Sequence, residues 1–288
     1  MRQHTEFGRY MGEQVRSFLS ERSTSADFIA SHGHTVFHRP DEGFTFQAGC
    51  GAALAAVAGL PVVYDFRSAD VVLGGQGAPL VPIGDRLLFS DYAACLNLGG
   101  IANISYEADG KRLAYDVSPC NLLLNELAAR TGRVYDAEGM LAASGTVQPR
   151  LLGDLNSLAY YTRPLPKSLG REDVERDFLP LLAAELPVED LLATVCRHIA
   201  QQVAEAVSRV SSGTLLVTGG GALHAHLLRE ISSACRMTVS TGTNELLHFK
   251  EALVFAFLGV LRMRSETNVL SSVTGAGRDH VAGTVALP

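Results

Sequence analysis

The 288-residue sequence contains no tryptophan, no excess of basic residues and no long hydrophobic run. Its net charge is −6, and its basic side chains are scattered rather than gathered into a stripe. This distribution argues against a nucleic-acid-binding protein. The longest apolar run, residues 252–261, is too short to span a bilayer, and the first residues contain no apolar signal core. We therefore expect a cytoplasmic protein.

Closely spaced cysteines are also absent. The five cysteines are far apart and never occur as Cys-x-x-Cys, so we interpret them as reduced and mostly buried. Hydrophobic residues make up 47% of the chain, and there are 28 glycines, which is typical of a globular protein with many tight turns. The length is sufficient for one large or two medium domains.

Hydrophobic periodicity predicts alternating helices and strands. A helical pattern at residues 7–19 precedes short strand patterns, and a long amphipathic helix begins near Leu192. Such alternation predicts an α/β fold. Residues 133–173 are rich in loops, and segments of this kind often border a ligand or a domain boundary.

Two glycine turns are candidates for binding a phosphate group. "LNLGGIANISY" (residues 96–106) predicts a β-hairpin around a Gly-Gly pair. "VTGGGAL" (217–223) places three glycines between a strand and a helix, where backbone N–H groups favour an anion. Each turn could also be a plain turn without a ligand, and the second is not a Walker loop. Together they suit a nucleotide held between two lobes.

Polar residues after the predicted strands are candidates for catalysis and sugar binding. Asp116 at the end of a strand is well placed as a general base, with helix capping as the alternative. His32, His34 and His38 in "SHGHTVFHRP" fit either a metal site or a polar sugar-binding loop. We predict no metal ligands there, because no cysteine or clear carboxylate ligand lies nearby.

A second polar segment, "YDFRSADVVLGGQGAPLVP" (64–82), contains Asp65, Arg67, Asp70 and Gln76. These residues could form ion pairs within the loop or recognise substrate hydroxyl groups, and periodicity does not choose between the two. Glu251 begins an otherwise apolar helical segment and is either a surface charge or part of a site.

Eight sequence blocks together resemble a known family. In chain order they are "SHGHTVFHRP", "PVVYDFRSADVVLGGQGAPLVP", "LNLGGIANISY", "YDVSPCN", "PKSLGRE", "VTGGGAL", "KEALVFAFLG" and "SSVTGA". They are similar to the signature blocks of the 1,6-anhydro-N-acetylmuramic acid kinases. The resemblance covers nearly the whole chain.

The resemblance implies the actin-like sugar-kinase fold, with two α/β lobes built on mixed sheets around a cleft. It predicts that residues 1–90 are the remainder of an incomplete N-terminal lobe on the sugar side. Residues 91–288 would form the C-terminal lobe on the nucleotide side, with 252–288 as candidates for packing back across the lobes. A homodimer is the favoured assembly.

The implied reaction belongs to peptidoglycan recycling and uses ATP and Mg²⁺. Water opens the 1,6-anhydro bridge at C1, and O6 takes the γ-phosphate of ATP to give N-acetylmuramic acid 6-phosphate. Asp116 matches the carboxylate that activates the water. Six residues are implied in nucleotide binding: Gly99, Gly100, Asn103, Gly219, Gly220 and Gly221. Six are implied in sugar binding: His32, His34, Arg67, Gln76, Asn121 and Glu251.

The sequence also departs from the family pattern. Family members have a first phosphate hairpin with a Gly-Thr-Ser-x-Asp-Gly turn, a motif that these 288 residues do not contain. We expect its absence to lower the rate by several orders of magnitude. Val117, Ser118, Cys120 and Leu169 also replace the common residues of their blocks. Two alternatives to the kinase are a catalytically inactive sugar- or muropeptide-binding relative and a metal-dependent anhydrosugar hydrolase that uses the histidines.

Overall fold

The computed structural model describes residues 1–183, 185–210 and 212–288. The chain divides into two compact units. Unit 1 consists of Met1–Leu87 with Glu251–Pro288, and unit 2 consists of Leu88–Lys250. The last segment of the chain therefore belongs to the same unit as the first.

Twelve α-helices are present in the described residues: α1 Arg2–Glu21, α2 Gly51–Ala58, α3 Ser68–Val72, α4 Pro82–Leu88, α5 Asn121–Ala129, α6 Met140–Ser144, α7 Pro149–Asn156, α8 Arg171–Asp173, α9 Val188–Val207, α10 Ala225–Ala234, α11 Asn244–Met263 and α12 Ser271–Thr274. None of them is long and apolar enough to cross a membrane.

The described part of the chain contains ten strands: β1 Ile29–Ser31, β2 His34–Arg39, β3 Phe44–Ala48, β4 Val62–Tyr64, β5 Ala94–Leu98, β6 Ile101–Ala108, β7 Lys111–Pro119, β8 Thr214–Thr218, β9 Thr238–Ser240 and β10 Thr284–Ala286. The predicted hairpin at 96–106 corresponds to β5 and β6. The predicted strand–glycine turn–helix segment begins with β8.

Each unit contains a mixed sheet. In unit 1 the strand order is β1-β4-β10, with β1 parallel and β10 antiparallel to β4, beside a separate β2–β3 hairpin. In unit 2 the order is β7-β6-β5-β8-β9, in which β5–β7 form an antiparallel meander and β5, β8 and β9 are parallel. The predicted α/β fold with a mixed sheet in each lobe is confirmed.

The core of unit 2 lies between the sheet and its helices. The apolar face predicted for α9 is buried, including Leu192, Val195, Ile199 and Val203. These side chains pack with leucines of α5 and with the interior of β5 and β6 in one cluster. Burial of this many aliphatic side chains fixes the strands, and the strands in turn position the loops at their ends.

Candidate functional site

Unit 2 has one sheet edge at which several strands end together. β7 runs antiparallel to β6, and β6 runs antiparallel to β5, so β5, β7 and β8 all run in the same direction. Their carboxyl ends therefore lie at one edge, the usual location of ligands in open α/β sheets. The two glycine turns follow β5 and β8, and Asp116 lies near the end of β7.

The two glycine turns contact each other through Asn121, the first residue of α5. Asn121 Nδ2 donates to the carbonyl oxygen of Leu98 at 3.0 Å. Its backbone N–H donates to the carbonyl of Gly99 at 3.1 Å. On the other side, a Cβ at Gly221 would lie 3.3 Å from Asn121 Oδ1. Asn121, predicted to bind the sugar, thus lies between the two turns predicted to bind the nucleotide.

Gly219 occupies a position that no other residue fits. Its φ of 85° and ψ of 169° belong to a region that is essentially restricted to glycine. An added Cβ would lie 2.5 Å from Asn97 Oδ1 and 2.9 Å from the backbone of Leu98. The first glycine of the motif is therefore required by both its backbone conformation and its close contact with β5.

Both glycine turns contain backbone N–H groups without a protein acceptor in the described part of the chain. Within the described residues, the N–H groups of Gly99, Gly100, Gly220 and Gly221 have no protein acceptor. Gly100 and Gly220 are exposed to solvent, and a Cβ at Gly220 would meet nothing closer than 3.7 Å. Free N–H groups on adjacent turns without side chains form a suitable cradle for an anion.

A row of polar side chains crosses the sheet next to these turns. Thr218 pairs with Asn97, Asn97 with Asn103, and Asn103 with Asp116. Directly paired residues of neighbouring strands share a face, so four polar residues from four strands are adjacent. The pairing moves from Ala102–Ser118 to Asn103–Asp116, which leaves Val117 as a bulge in β7. The predicted base is thereby brought beside the predicted hairpin residue Asn103.

The carboxylate of Asp116 is partly buried. Burial raises its pKa to about 6, and the backbone N–H of Leu169, which donates to Oδ2 at 2.9 Å, lowers the pKa in part. A carboxylate with this pKa is ionised at neutral pH and still basic enough to accept a proton from water. The role of Asp116 as a general base stays a prediction.

The loop after α7 forms hydrogen bonds with the backbone of Asp116. Tyr160 Oη donates to the carbonyl oxygen of Asp116, and the N–H of Asp116 donates to the carbonyl of Lys167 at 3.0 Å. Lys167 Nζ lies 4.5 Å from the ring centroid of Tyr160 and donates to the carbonyl of Tyr161 at 3.2 Å. The loop-rich segment predicted to border a ligand therefore contacts Asp116 directly.

In unit 1, His32 and Arg67 meet at the carboxyl edge of the parallel pair β1 and β4. Arg67 Nε donates to His32 Nε2 at 2.9 Å, and Arg67 Nη1 donates to the carbonyl of Gly77 at 2.6 Å. His32 Nδ1 lies 2.9 Å from the carbonyl of Gly33. Burial and then the Arg67 charge lower the pKa of His32, so the ring is neutral. Both ring nitrogens of His32 are therefore engaged within the protein.

A small cleft lies beside this pair. It encloses about 420 Å³, including space open to solvent, and His32, Tyr64, Asp65 and Ser68 are among the residues lining it. Asp65 has a positive φ of 54° and accepts a hydrogen bond from Ser68 Oγ at 2.5 Å. Backbone strain in a non-glycine residue at the end of a strand is common at binding sites.

The glycine-rich loop that contains Gln76 is held by a buried carboxylate. Asp70 is fully buried and accepts from the N–H of Gly77 at 2.6 Å and from Thr274 Oγ1 at 2.7 Å. The N–H of Gln76 donates to the carbonyl of Thr274 at 2.8 Å, while its side chain is exposed. Of the two interpretations of Asp70, the structure supports a role within the protein rather than contact with substrate.

The other two residues predicted to bind sugar in unit 1 are exposed. His34 lies on β2 and Glu251 on α11. Both are close enough to His32 to influence its pKa, Glu251 by raising it and His34 by lowering it. The residues predicted to bind sugar in unit 1 thus gather around His32 and Arg67. Among the described residues, no group of three or more His, Cys, Asp or Glu side chains could hold a metal ion.

Sequence reasoning missed Asn97 and the contribution of Tyr160. Asn97 lies in the same short block as Gly99, but only the strand register shows that it shares a face with Asn103 and Asp116. Tyr160 precedes "PKSLGRE" by a few residues, and no local pattern connects it with β7.

Comparison with known proteins identifies the family of this chain. The model of the anhydro-N-acetylmuramic acid kinase family matches residues 2–288. The anhydro-N-acetylmuramic acid kinase of Methylobacterium nodulans is 39% identical over an aligned length of 295 residues, covering 97% of this chain and 78% of the relative. The enzyme of the same name from Coxiella burnetii is 35% identical over 297 aligned residues, covering 96% and 80%.

Among solved structures, a ROK family glucokinase from Streptomyces griseus in complex with glucose and AMPPNP is similar over 81% of this chain and 83% of its own. Its identity of 12% and TM-score of 0.36 are too low to support an argument about the site. The family match and the relatives, by contrast, extend over nearly the whole sequence. The chain belongs to the anhydro-N-acetylmuramic acid kinase family.

Proposed function

We propose that this protein is an ATP-dependent carbohydrate kinase of peptidoglycan recycling that opens the 1,6-anhydro ring of anhydro-N-acetylmuramic acid and phosphorylates O6. The observation that carries the proposal is the position of Asp116. It lies at the sheet edge shared with the two glycine turns, in one row with Asn97 and Asn103. The substrate in this proposal follows from family membership. The base is Asp116, which lies in this row beside the glycine turns proposed to bind phosphate.

Asp116 acts as the general base. Its carboxylate accepts a proton from water, whose oxygen bonds to C1 of the sugar while the bond from C1 to O6 breaks. The electron pair of that bond remains on O6, which becomes the acceptor of the phosphoryl group. The N–H of Leu169 fixes one oxygen of the carboxylate.

Unit 2 is the nucleotide side in this proposal. The γ-phosphoryl group of ATP is transferred to O6, the bond to the β-phosphate oxygen breaks, and ADP leaves. The free N–H groups of Gly99, Gly100, Gly220 and Gly221 bind its phosphate oxygens, and Asn121 holds the two turns at a fixed spacing. Because phosphoryl transfer depends mainly on positioning and charge stabilisation, a rigid cradle is a large part of what the protein contributes.

We propose Mg²⁺ as the accompanying cation. Mg²⁺ in phosphoryl-transfer enzymes is usually held by phosphate oxygens, waters and one or two carboxylates rather than by a dedicated cage. The described residues, which contain no group of three or more metal-binding side chains, fit this mode. Asp116 is the carboxylate near the proposed phosphate edge, but its role as base makes it an unsuitable permanent ligand.

Unit 1 is the sugar side in this proposal. Arg67, Gln76, His34 and Glu251 are its candidate contacts with substrate. His32 has a supporting role, because both of its ring nitrogens are bonded within the protein. The same bonds disfavour the metal-dependent hydrolase, in which His32 would have to bind a metal through a ring nitrogen.

The test is mass spectrometry of the sugar after incubation with ATP, Mg²⁺ and 1,6-anhydro-N-acetylmuramic acid. We expect the sugar to gain both water and a phosphoryl group with the wild-type protein and to remain unchanged with Asp116→Asn. Asp154→Asn, a change at an exposed carboxylate in the same unit, is the matched control and should behave as wild type. An unchanged sugar with the wild-type protein would contradict the proposal.

A further inference from the structure

A buried histidine of α9 lies at the centre of a hydrogen-bond network that the proposed reaction does not use. His198 is fully buried, and Tyr161 Oη lies 2.6 Å from its Nε2. On the opposite side of the ring, Nδ1 lies 2.7 Å from Asn156 Oδ1. An apolar residue would also fill this space, and a buried polar side chain costs free energy unless its hydrogen-bonding groups are satisfied. The bonds of His198 therefore point to a function that packing alone does not provide.

The position of each proton in the network follows from the acceptors. Asn156 Oδ1 also accepts from Gln202 Nε2 at 2.9 Å, while Asn156 Nδ2 donates to Gln201 Oε1 at 2.7 Å. The ring proton of His198 is therefore on Nδ1, which donates to Asn156 Oδ1. Burial lowers the pKa of His198 to about 3, so the ring is neutral and Nε2 accepts from the Tyr161 hydroxyl. Both ring nitrogens thus have the partner that they need.

Tyr161 connects this network to the loop that contacts Asp116. Its neighbour Tyr160 donates through the hydroxyl to the carbonyl oxygen of Asp116. Lys167 Nζ donates to the carbonyl oxygens of Tyr160 and Tyr161, at 3.3 and 3.2 Å. The carbonyl of Lys167 accepts from the N–H of Asp116 at 3.0 Å, and the N–H of Leu169 donates to Asp116 Oδ2 at 2.9 Å. Because these contacts are consecutive, a displacement of Tyr161 is transmitted to the segment that holds the carboxylate.

A second contact joins the same tyrosine to β7 itself. Tyr161 Oη lies 3.3 Å from Ser118 Oγ, and Ser118 is fully buried two residues after Asp116. The ring of Tyr161 also packs edge-on against His198 and Phe178, with centroids 5.2 and 6.2 Å apart. A phenylalanine would keep these ring contacts. The contribution of the hydroxyl can therefore be tested separately from that of the ring.

We propose that the bond between His198 and Tyr161 positions the carboxylate of Asp116 for catalysis. The role of Asp116 as the base rests on the proposed function. His198 and Tyr161 are positioning residues, because they act on Asp116 through the loop. A satisfied polar network in a core is rigid, and a displacement of about 1 Å is enough to lower the rate of an enzyme strongly. The network thus extends the support of the base from the loop to α9.

The experiment removes the hydroxyl with Tyr161→Phe and follows the ionisation of Asp116. Burial raises the pKa of Asp116 to about 6, and the bond from the N–H of Leu169 acts against this rise. When the loop shifts, that bond weakens, so the midpoint of ionisation moves upward. We expect the midpoint to rise by about one pH unit and kcat to fall about tenfold at pH 7. KM for ATP should stay within about twofold of the wild-type value, because the glycine turns are unchanged.

The ionisation of Asp116 is measured in two independent ways. The first is a pH–rate profile with 1,6-anhydro-N-acetylmuramic acid and ATP. The second is ¹³C NMR of protein labelled at the aspartate carboxyl carbons, in which the signal of Asp116 is identified by its absence from Asp116→Asn. Tyr135→Phe is the matched control, because it removes the hydroxyl of a tyrosine that is 61% exposed in the same unit. This control should keep the wild-type midpoint and kcat.

Two results would overturn the inference. The first is a midpoint and a kcat of Tyr161→Phe equal to those of the wild type. The second is a lower stability in urea unfolding with an unchanged midpoint, since that result shows only a structural role. If Tyr161→Phe fails to fold, Asn156→Ala replaces it. This variant releases His198 Nδ1 on the other side of the ring, and the inference requires it to raise the midpoint in the same way.

The NMR titration separates the inference from the proposed function. A wild-type protein that leaves the sugar unchanged overturns the proposed function, and the titration of Tyr161→Phe still decides whether the network positions the carboxylate. A wild-type protein that phosphorylates the sugar, with an unchanged midpoint in Tyr161→Phe, supports the proposed function and overturns the positioning role. A raised midpoint together with a lowered kcat supports both.

Discussion

The backbone N–H of Leu169 donates to Oδ2 of Asp116 at 2.9 Å. This single bond connects a loop that is irregular in sequence to the carboxylate at the end of β7. Leu169 lies 53 positions after Asp116 in the chain, so the sequence alone does not connect the two residues. Asp116 is thus fixed on one side by its strand and on the other by the loop.

The activity should depend on pH through Asp116. Burial raises its pKa to about 6, and a general base acts only when ionised. We therefore expect kcat/KM to fall about tenfold for each pH unit below 6 and to be flat just above it. The measurement is a pH–rate profile between pH 4.5 and 8 with the assay components shown to be stable. A profile that stays flat down to pH 4.5 would exclude Asp116 as the base.

Replacing Asp116 should stabilise the protein at neutral pH. Burial raises the pKa of Asp116 to about 6 in the folded protein, so protonation of this residue stabilises the fold. This stabilisation is complete below the pKa of aspartate in the unfolded chain and is lost as pH rises through about 6. We expect Asp116→Asn to be more stable than the wild type by about 1–3 kcal/mol at pH 7, with a smaller difference near pH 4. Urea unfolding at both pH values measures this. An equal difference at both would show that the charge of Asp116 is not the cause.

Asn121 should act on nucleotide affinity. Its side chain donates to Leu98 and lies beside Gly221, so Asn121→Ala removes the contact that sets the spacing of the two turns. We expect KM for ATP to rise about threefold to tenfold, in line with the loss of one hydrogen bond. Asn125→Ala, an exposed position on the same helix, should leave it unchanged. A rise confined to KM for the sugar would instead support direct contact of Asn121 with substrate.

Gly219→Ala should destabilise the fold more than a glycine change in open space. At Gly219 a Cβ would overlap with Asn97 and the backbone of Leu98, and the φ of 85° is unfavourable as well. We expect a loss of more than about 2 kcal/mol. Gly110→Ala has a similar φ of 74° but no neighbour within 4 Å, so it should cost about 1 kcal/mol. Equal losses in urea unfolding would show that the contact with β5 is unimportant.

Much of the architecture follows from local sequence patterns. The spacing of Leu192, Val195, Ile199 and Val203 places one face of α9 in the core, and the Gly-Gly pair between two strand patterns predicts the hairpin. These features depend on neighbours within a few residues. Local patterns also identify both glycine turns, because a strand followed by glycines has few other interpretations.

The relations that make the site do not follow from local patterns. The pairing of Asn97 with Asn103 and of Asn103 with Asp116 depends on the register of three strands and on a bulge. The bond between Arg67 and His32 joins two strand ends 35 positions apart, and it changes the interpretation of the histidine from ligand to support. Side-chain chemistry identifies such residues as candidates, but only the tertiary fold shows which nitrogen or oxygen is still free.

The central claim is that one reaction adds water at C1 and a phosphoryl group at O6. The most direct test is mass spectrometry of the product formed from 1,6-anhydro-N-acetylmuramic acid and ATP in ¹⁸O-labelled water. We expect one ¹⁸O atom on the sugar at C1 and none in the transferred phosphoryl group. Label in the phosphoryl group, or a sugar that gains water without phosphate, would contradict the account.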